Sequence, residues 1–261
     1  MGILNATPDS FSDGGKFRSP KDAIAQAERM LADGVDLIDI GGESTRPGAE
    51  PVGLQEELDR VLPVIEALKD CGVPLSIDTY KPETMRQALH AGVDCVNDIW
   101  ALRQTGAVDA VLESQNCGIV LMHMQRDPLT MQFDPEYINV IAEVKQFLKD
   151  RVDLLISSGI AVDRIAIDPG FGFGKSLEHN LNMLSNFSEF STLGLPVLAG
   201  ISRKSMIGKI TGKDTNDRVA PSIAAAIMAA DRGASIVRVH DVAETVDALK
   251  LWEAIQVDMS V

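Results

Sequence analysis

Aromatic residues are scarce in this sequence, 5% of 261 positions, and no apolar run approaches the length of a membrane span. The first residues, Met1-Gly2-Ile3-Leu4-Asn5, carry neither the basic region nor the cleavable apolar stretch of an export signal. Cysteine is limited to Cys71, Cys95 and Cys117, an odd number set among apolar neighbours. That excludes a disulfide framework and points to small buried side chains in a reducing, cytoplasmic compartment. Positive charge is also short: 24 Lys and Arg face 38 Asp and Glu, a net charge of −14. A field of that sign repels nucleic acid and anionic membranes, so neither is expected as a partner. An anionic ligand would have to be met by a few local cations. No linker, low-complexity tract or change of composition divides the chain, so residues 1–261 are expected to form one domain.

Aliphatic side chains dominate the 45% of positions that are hydrophobic, and they come in two alternating patterns. Apolar, β-branched runs fall at residues 2–5, 35–40, 74–78, 93–97, 118–123, 164–168, 196–200 and 235–239. Helical periodicity occupies 20–33, 54–70, 82–91, 105–115, 135–158, 177–190, 216–232 and 242–256. Gly34, Gly92, Gly159 and Gly233 stand where helices should stop before a strand, and Pro20 and Pro82 where helices should start. Strands that are apolar throughout imply a parallel sheet covered by helices on its faces. Eight such units predict a closed (β/α)8 TIM barrel, with an open α/β sheet as the alternative. The connections 6–19 and 41–53 are long, follow strands, and so belong to the catalytic face, where loops of this length act as lids.

Each apolar run ends in a polar group. The series is Asn5, Asp39, Asp78, Asn97-Asp98, His123, Asp168, Ser202-Arg203-Lys204-Ser205 and Arg238-Val239-His240. Singly, each could be a cap or turn residue; together they describe the ring of strand-end groups that forms the site in such barrels. Asp78, Asn97 and Asp168 form an acidic and amide half with no cation in sequence reach, suited to a heterocycle edge rich in N–H donors. Arg203, Lys204, Arg238, His240 and Asn5 form the other half, suited to a diphosphate whose Mg²⁺ is bridged to Asn5. The stretch from Asp168 to Ser176 ends like a nucleotide-binding loop, but Pro169 stands where the first glycine of that pattern is required. Its glycines instead suit close backbone approach to a flat ligand, with Phe171 or Phe173 packed on it.

The four scattered histidines do not make a metallohydrolase cluster. His90 reads as a contact at a helix C-terminus and His179 as solvent-facing, while His123 is either a ligand contact or a structural hydrogen bond. Lys204 is offset into a strand–helix loop beside another cation, which favours anion binding or hydrogen bonding over imine chemistry. The methionines, Trp100 and Trp252 read as packing residues.

At these positions the sequence resembles the dihydropteroate synthases, from Met1 to about Trp252. The motifs, in order, are Gly2 to Gly15, Asp39 to Gly48, Ser76 to Lys81, Asn97-Asp98-Ile99, Asp168 to Lys175, Gly200 to Ser205 and Arg238 to Asp241. The resemblance implies condensation of 6-hydroxymethyl-7,8-dihydropterin diphosphate with p-aminobenzoate, with sulfonamides as mimics of the second substrate. It implies that Asp78, Asn97, Asp168 and Lys204 hold the pterin, with Lys204, Asp168 and Asp78 catalytic. It further implies that Arg238, His240 and, through Mg²⁺, Asn5 hold the diphosphate. Thr45, Arg46, Pro47, Phe173 and Ser205 would shape the p-aminobenzoate pocket. It also implies a homodimer, for which the Ala-rich helix near 219–230 could serve as a face, though it could equally pack on the barrel. Members of that family generally carry a short segment before the first strand, where this chain begins within it. A corrinoid-linked methyltransferase and a non-catalytic pterin-binding paralogue are the rival readings.

Overall fold

The computed structural model describes residues 1–7, 20–44, 49–126, 130, 131, 133 and 135–258. The central parts of both long loops, residues 8–19 and 45–48, lie outside that description, and with them the candidate residues Thr45, Arg46 and Pro47. Six parallel strands pair in chain order: β1 (Gly2–Asn5), β2 (Ile38–Gly41), β3 (Leu75–Asp78), β4 (Cys95–Asp98), β5 (Gly118–Met122) and β6 (Ile165–Asp168). Two short strands, β7 (Leu198–Ala199) and β8 (Ile236–Val237), pair with each other. Parallel bridges Ile167↔Val197 and Gly2↔Val239 join β6 to β7 and β8 to β1. At the second seam Ile3 N donates to Val239 O and Val239 N to Met1 O, both at 2.9 Å. The ring therefore runs through eight strands and back to the first, a (β/α)8 barrel.

Around it lie α1 (Pro20–Ala32), α2 (Leu54–Leu68), α3 (Pro82–His90), α4 (Ala107–Leu112), α5 (Val140–Ser157), α6 (Leu177–Ser185), α7 (Ser188–Ser191), α8 (Ser205–Thr211), α9 (Val219–Asp231) and α10 (Val242–Asp258). Ile38, Ile40, Leu75, Ile77, Ile119, Leu121, Ile165 and Ile167 join the buried cluster shared with the helices. Side chains alternate along a strand, so Asp39, Ser76, Val120 and Ala166 fall on the barrel's inner face. Met1, Val120 and Leu198, with Cys95, Ala166 and Ile236 packed against them, fill the inside. The apolar plug forces the polar strand-end groups towards the opposite mouth.

Several boundaries differ from the sequence expectation for identifiable reasons. β7 starts later because Pro196 has no N–H to give the ladder; its carbonyl instead accepts Ile167 N at 2.9 Å. The helix read over 177–190 divides where Asn186 leaves helical geometry at φ −111°, ψ 32°. α5 begins only at Val140, since Asn139 caps it by accepting Ala142 N at 3.1 Å. Helix α8 falls outside the helical ranges that periodicity marks. Gly208 lies inside it because Arg218 crosses there: an added Cβ would stand 2.2 Å from the Arg218 guanidinium.

The turn after β6 holds its glycines by geometry. Gly170 has φ +74°, and a Cβ there would lie 2.0 Å from the His123 carbonyl oxygen; Gly159 has φ +98° with nothing within 4 Å. Gly159→Ala should therefore cost only the left-handed strain, about 1–2 kcal/mol, whereas Gly170→Ala should cost about 4 kcal/mol or more. Urea unfolding of the two variants beside the parent chain measures the difference; equal losses would mean that the contact with His123 is not rigid.

Candidate active site

Register brings the strand-end groups level. Asn5 pairs with Gly41, Gly41 with Asp78, and Asp78 with Asn97. Glycine at 41 leaves the place between Asn5 and Asp78 without a side chain; a Cβ there would sit 3.7 Å from Asp78 Cβ and 3.9 Å from Asn5 Oδ1. Asp39, two residues earlier on the same face, is fully buried. Its Oδ2 accepts Asn97 Nδ2 at 3.0 Å and Arg238 Nε at 2.6 Å, while Arg238 Nη2 donates to Asp78 Oδ2 at 2.6 Å. The acidic half is thus not without a cation, as the strand order alone had suggested. Arg238, from the end of β8 across the closing seam, enters it and joins the two halves.

One guanidinium cannot satisfy all of this. Asp39 Oδ1 and Asp78 Oδ1 are buried and have no hydrogen-bond partner. Burial pushes the Asp78 carboxyl up to about 7; Arg238 opposes the shift, and neighbouring carboxylates add to it. Asp168 is also raised by burial, against Lys204 and the Gly170 N–H that donates to its Oδ1 at 2.7 Å. Lys204 is pushed down to about 8 by burial, with Asp168 opposing. Its ammonium donates to Phe171 O and lies 4.7 Å over the Phe173 ring. Phe171 is itself fully buried, with its ring 6.1 Å from that of Phe187, so of the two phenylalanines only Phe173 stands at the mouth.

Asp98, though adjacent to Asn97, has a different role: it accepts Trp100 N at 2.8 Å and Leu102 N at 2.7 Å. These bonds hold a turn in which Ala101 and Leu102 both have positive φ, 52° and 54°. Arg203 does not join the anion-facing cations expected of it: its Nε donates to Asp241 Oδ2 at 3.0 Å. Ser205 begins α8 and is exposed. His240 Nδ1 lies 3.0 Å from Ser202 Oγ.

Two further groups were not singled out by the sequence. Lys175 is buried, and its Nζ donates to Gly170 O and Phe173 O, both at 2.9 Å, and lies 2.9 Å from His123 Nδ1. Burial, then the Lys175 charge, pushes His123 down to about 2. A neutral imidazole can accept from the ammonium, which makes His123 a structural partner. On the other flank, Glu43 accepts Val52 N at 3.1 Å and Tyr80 OH at 2.8 Å, closing the base of the second loop. Lys81 lies between Glu43 and the buried Glu57. Asp39, one of the strand-end groups read from the sequence, is the one the others converge on. His179, expected in solvent, sits in a capping box with Ser176 and 5.0 Å from the Tyr137 ring.

A family model described as pterin binding enzyme matches residues 1–240. A dihydropteroate synthase from Haemophilus influenzae is 49% identical over 257 residues, 97% of this chain and 92% of that protein. A solved Yersinia pestis dihydropteroate synthase with a sulfonamide drug complex matches with TM-score 0.94 at 47% identity, covering 98% of this chain and 93% of that one. One from Xanthomonas albilineans with 4-aminobenzoic acid matches with TM-score 0.92 at 52% identity, covering 98% and 92%.

Arg238→Met should lower stability by about 3–5 kcal/mol at pH 8, because two buried carboxylates lose their cation. Folded Asp78 keeps its proton up to about 7, whereas in the unfolded chain it ionises around 3.8, so stability falls as pH rises through that window. Without Arg238 the window extends upward, so the deficit should shrink at pH 5. Urea unfolding of both proteins at the two pH values reads this; a deficit independent of pH would contradict the compensation argument.

Proposed function

This chain belongs to the pterin binding enzyme family, and on that footing we propose that it acts as a dihydropteroate synthase and sulfonamide target. It would join 6-hydroxymethyl-7,8-dihydropterin diphosphate to p-aminobenzoate and release diphosphate. The observation that carries the reading is the pair of buried, unpartnered carboxylate oxygens on Asp39 and Asp78 around a single guanidinium. The pterin's amino-pyrimidinone edge offers the N–H donors these oxygens lack. Asn97 has its Nδ2 committed to Asp39, which leaves its oxygen to accept, and Asp168 supplies a further acceptor. Lys204 donates to the ring carbonyl.

Arg238 gives Nε and Nη2 to the carboxylates, so Nη1 is the nitrogen left for the diphosphate, beside His240. Asn5 offers one hard oxygen at the end of β1, which fits Mg²⁺, an ion that takes few protein ligands and completes its shell with water and phosphate. When bound, the ion would neutralise charge on the leaving diphosphate. As the C–O bond breaks, positive charge spreads into the pterin, and Asp78 and Asp168 stabilise it from fixed positions. The weakly basic aromatic amine then needs placement more than a strong base. Phe173 and Ser205 at the mouth, with Thr45, Arg46 and Pro47 from the second loop, would provide it. A corrinoid-linked methyltransferase would need no such arrangement for diphosphate and aminobenzoate.

We place the enzyme in the cytoplasm as one domain over residues 1–261, in keeping with three unpaired cysteines. We also read it as a homodimer through α9 and α10, where Met228, Leu251 and Ile255 are exposed apolar side chains on packed helices. Among the described residues no helix is long and apolar enough to cross a membrane.

Incubation with the pterin diphosphate, p-aminobenzoate and Mg²⁺ should yield 7,8-dihydropteroate by mass; folded protein that gives none above background refutes the reading. Lys204→Ala and Asp168→Ala should each lower kcat/KM by about 100-fold or more with melting curves near that of the parent. Because Lys204 is cationic only below about 8, kcat/KM should fall as pH rises past that value, a limb absent in Lys204→Ala.

A further inference from the structure

The loops after β7 and β8 are stitched together at two adjacent positions. Ser202 is buried, and its Oγ accepts the backbone N–H of His240 at 3.2 Å while lying 3.0 Å from Nδ1 of the same residue. Next to it, Arg203 holds a left-handed backbone at φ 58°, unusual for a long side chain. Three contacts fix that conformation: Arg203 Nε to Asp241 Oδ2 at 3.0 Å, Arg203 N to Ser222 Oγ at 2.9 Å, and Arg218 Nη1 to Arg203 O at 2.9 Å. Ser202 is therefore carried on a backbone clamped from both sides, and it meets His240 in only one way.

A hydroxyl has one hydrogen to give. Having accepted the His240 N–H, the Ser202 oxygen can turn its own hydrogen onto Nδ1. An imidazole that accepts at Nδ1 carries its proton on Nε2, and the second nitrogen becomes a donor. We propose that Ser202 is a positioning residue that fixes His240 as the Nε2–H tautomer, so that the ring presents a donor to the phosphate oxygens of the leaving group. The inference rests on the reading that His240 faces the diphosphate. It assigns Ser202 no contact with substrate. Without the hydroxyl, Nδ1 loses the donor that keeps its own proton off, and more of the Nδ1–H form, which presents a lone pair to an anion, is populated.

The test uses the whole chain labelled with ¹⁵N-histidine, which has four imidazoles to resolve. The His240 signals are assigned by their loss in His240→Gln. Long-range ¹H–¹⁵N correlation at pH 8.5, where an ordinary imidazole is neutral, should show His240 as Nε2–H in the parent and as a tautomer mixture in Ser202→Ala. Calorimetry with inorganic diphosphate and Mg²⁺ should show binding weakened about ten-fold in Ser202→Ala, a loss of about 1.4 kcal/mol. Ser202→Thr, which keeps the hydroxyl, should stay within about three-fold of the parent. KM for the pterin diphosphate should rise in Ser202→Ala while KM for p-aminobenzoate holds. An Nδ1–H pattern in the parent, or an Ser202→Ala protein with unchanged pattern and affinity, overturns the proposal. If His240→Gln binds diphosphate as tightly as the parent, the placement of His240 at the diphosphate is what fails; the tautomer pattern is read separately and is unaffected by that outcome.

Discussion

The buried contact of Arg238 with Asp39 and Asp78 is the constraint around which the mouth of the barrel is arranged. Both carboxylates sit on the inner face of neighbouring strands, in reach of a guanidinium that comes from the end of β8, across the closing seam. Removing two such charges from water costs several kcal/mol per ion, and one cation repays only part. The remainder appears as two oxygens without partners and as an Asp78 carboxyl that holds its proton more tightly than in water. The site is electrostatically unfinished by construction. Under the proposed function, substrate N–H groups would complete it, so that binding would convert a folding deficit into affinity and leave the same acids next to the charge that develops in the reaction.

A second buried cation has the opposite character. Lys175 spends its donors on the carbonyls of Gly170 and Phe173 and on the His123 ring, so it is satisfied inside the protein. Its ammonium closes the turn that carries Phe171, whose carbonyl accepts Lys204, and Phe173, over which Lys204 lies. One lysine shapes the turn and the other is presented by it. Lys175 is buried and spent on protein acceptors, whereas Lys204 is only partly buried and lies over the Phe173 ring at the mouth, which separates two residues alike in type.

The repeat was legible because a strand–helix unit repeats its phase: Asn5, Asp78, Asn97 and Asp168 could each be placed at a strand end by counting. The (β/α)8 ring followed, and glycines 34, 92, 159 and 233 do stop helices with positive φ. What counting could not supply were contacts across the ring. Arg238 meets Asp39 and Asp78 at separations of 199 and 160 residues, so its assignment to the anion half was incomplete. Arg203 carries the same charge as Arg238 but is neutralised by Asp241, a fact fixed by backbone conformation and not by residue type. Nor could spacing tell Phe171 from Phe173, two residues apart in a turn whose glycines break any periodicity. Helix α8 escaped because its seven residues include a glycine that only the passage of Arg218 explains.

The seam between β8 and β1 sets an order on biosynthesis. Gly2 and Ile3 are made more than two hundred residues before Val239, the residue that closes the ring against them. Until then β1 has a neighbour on one side only, and its other edge is an open row of backbone donors and acceptors, the kind that recruits foreign strands. The apolar plug above that edge is likewise incomplete, because Leu198 and Ile236 belong to the last strands made. The ring can close only once the last two strands have been made, so any sheet that forms earlier keeps this edge exposed.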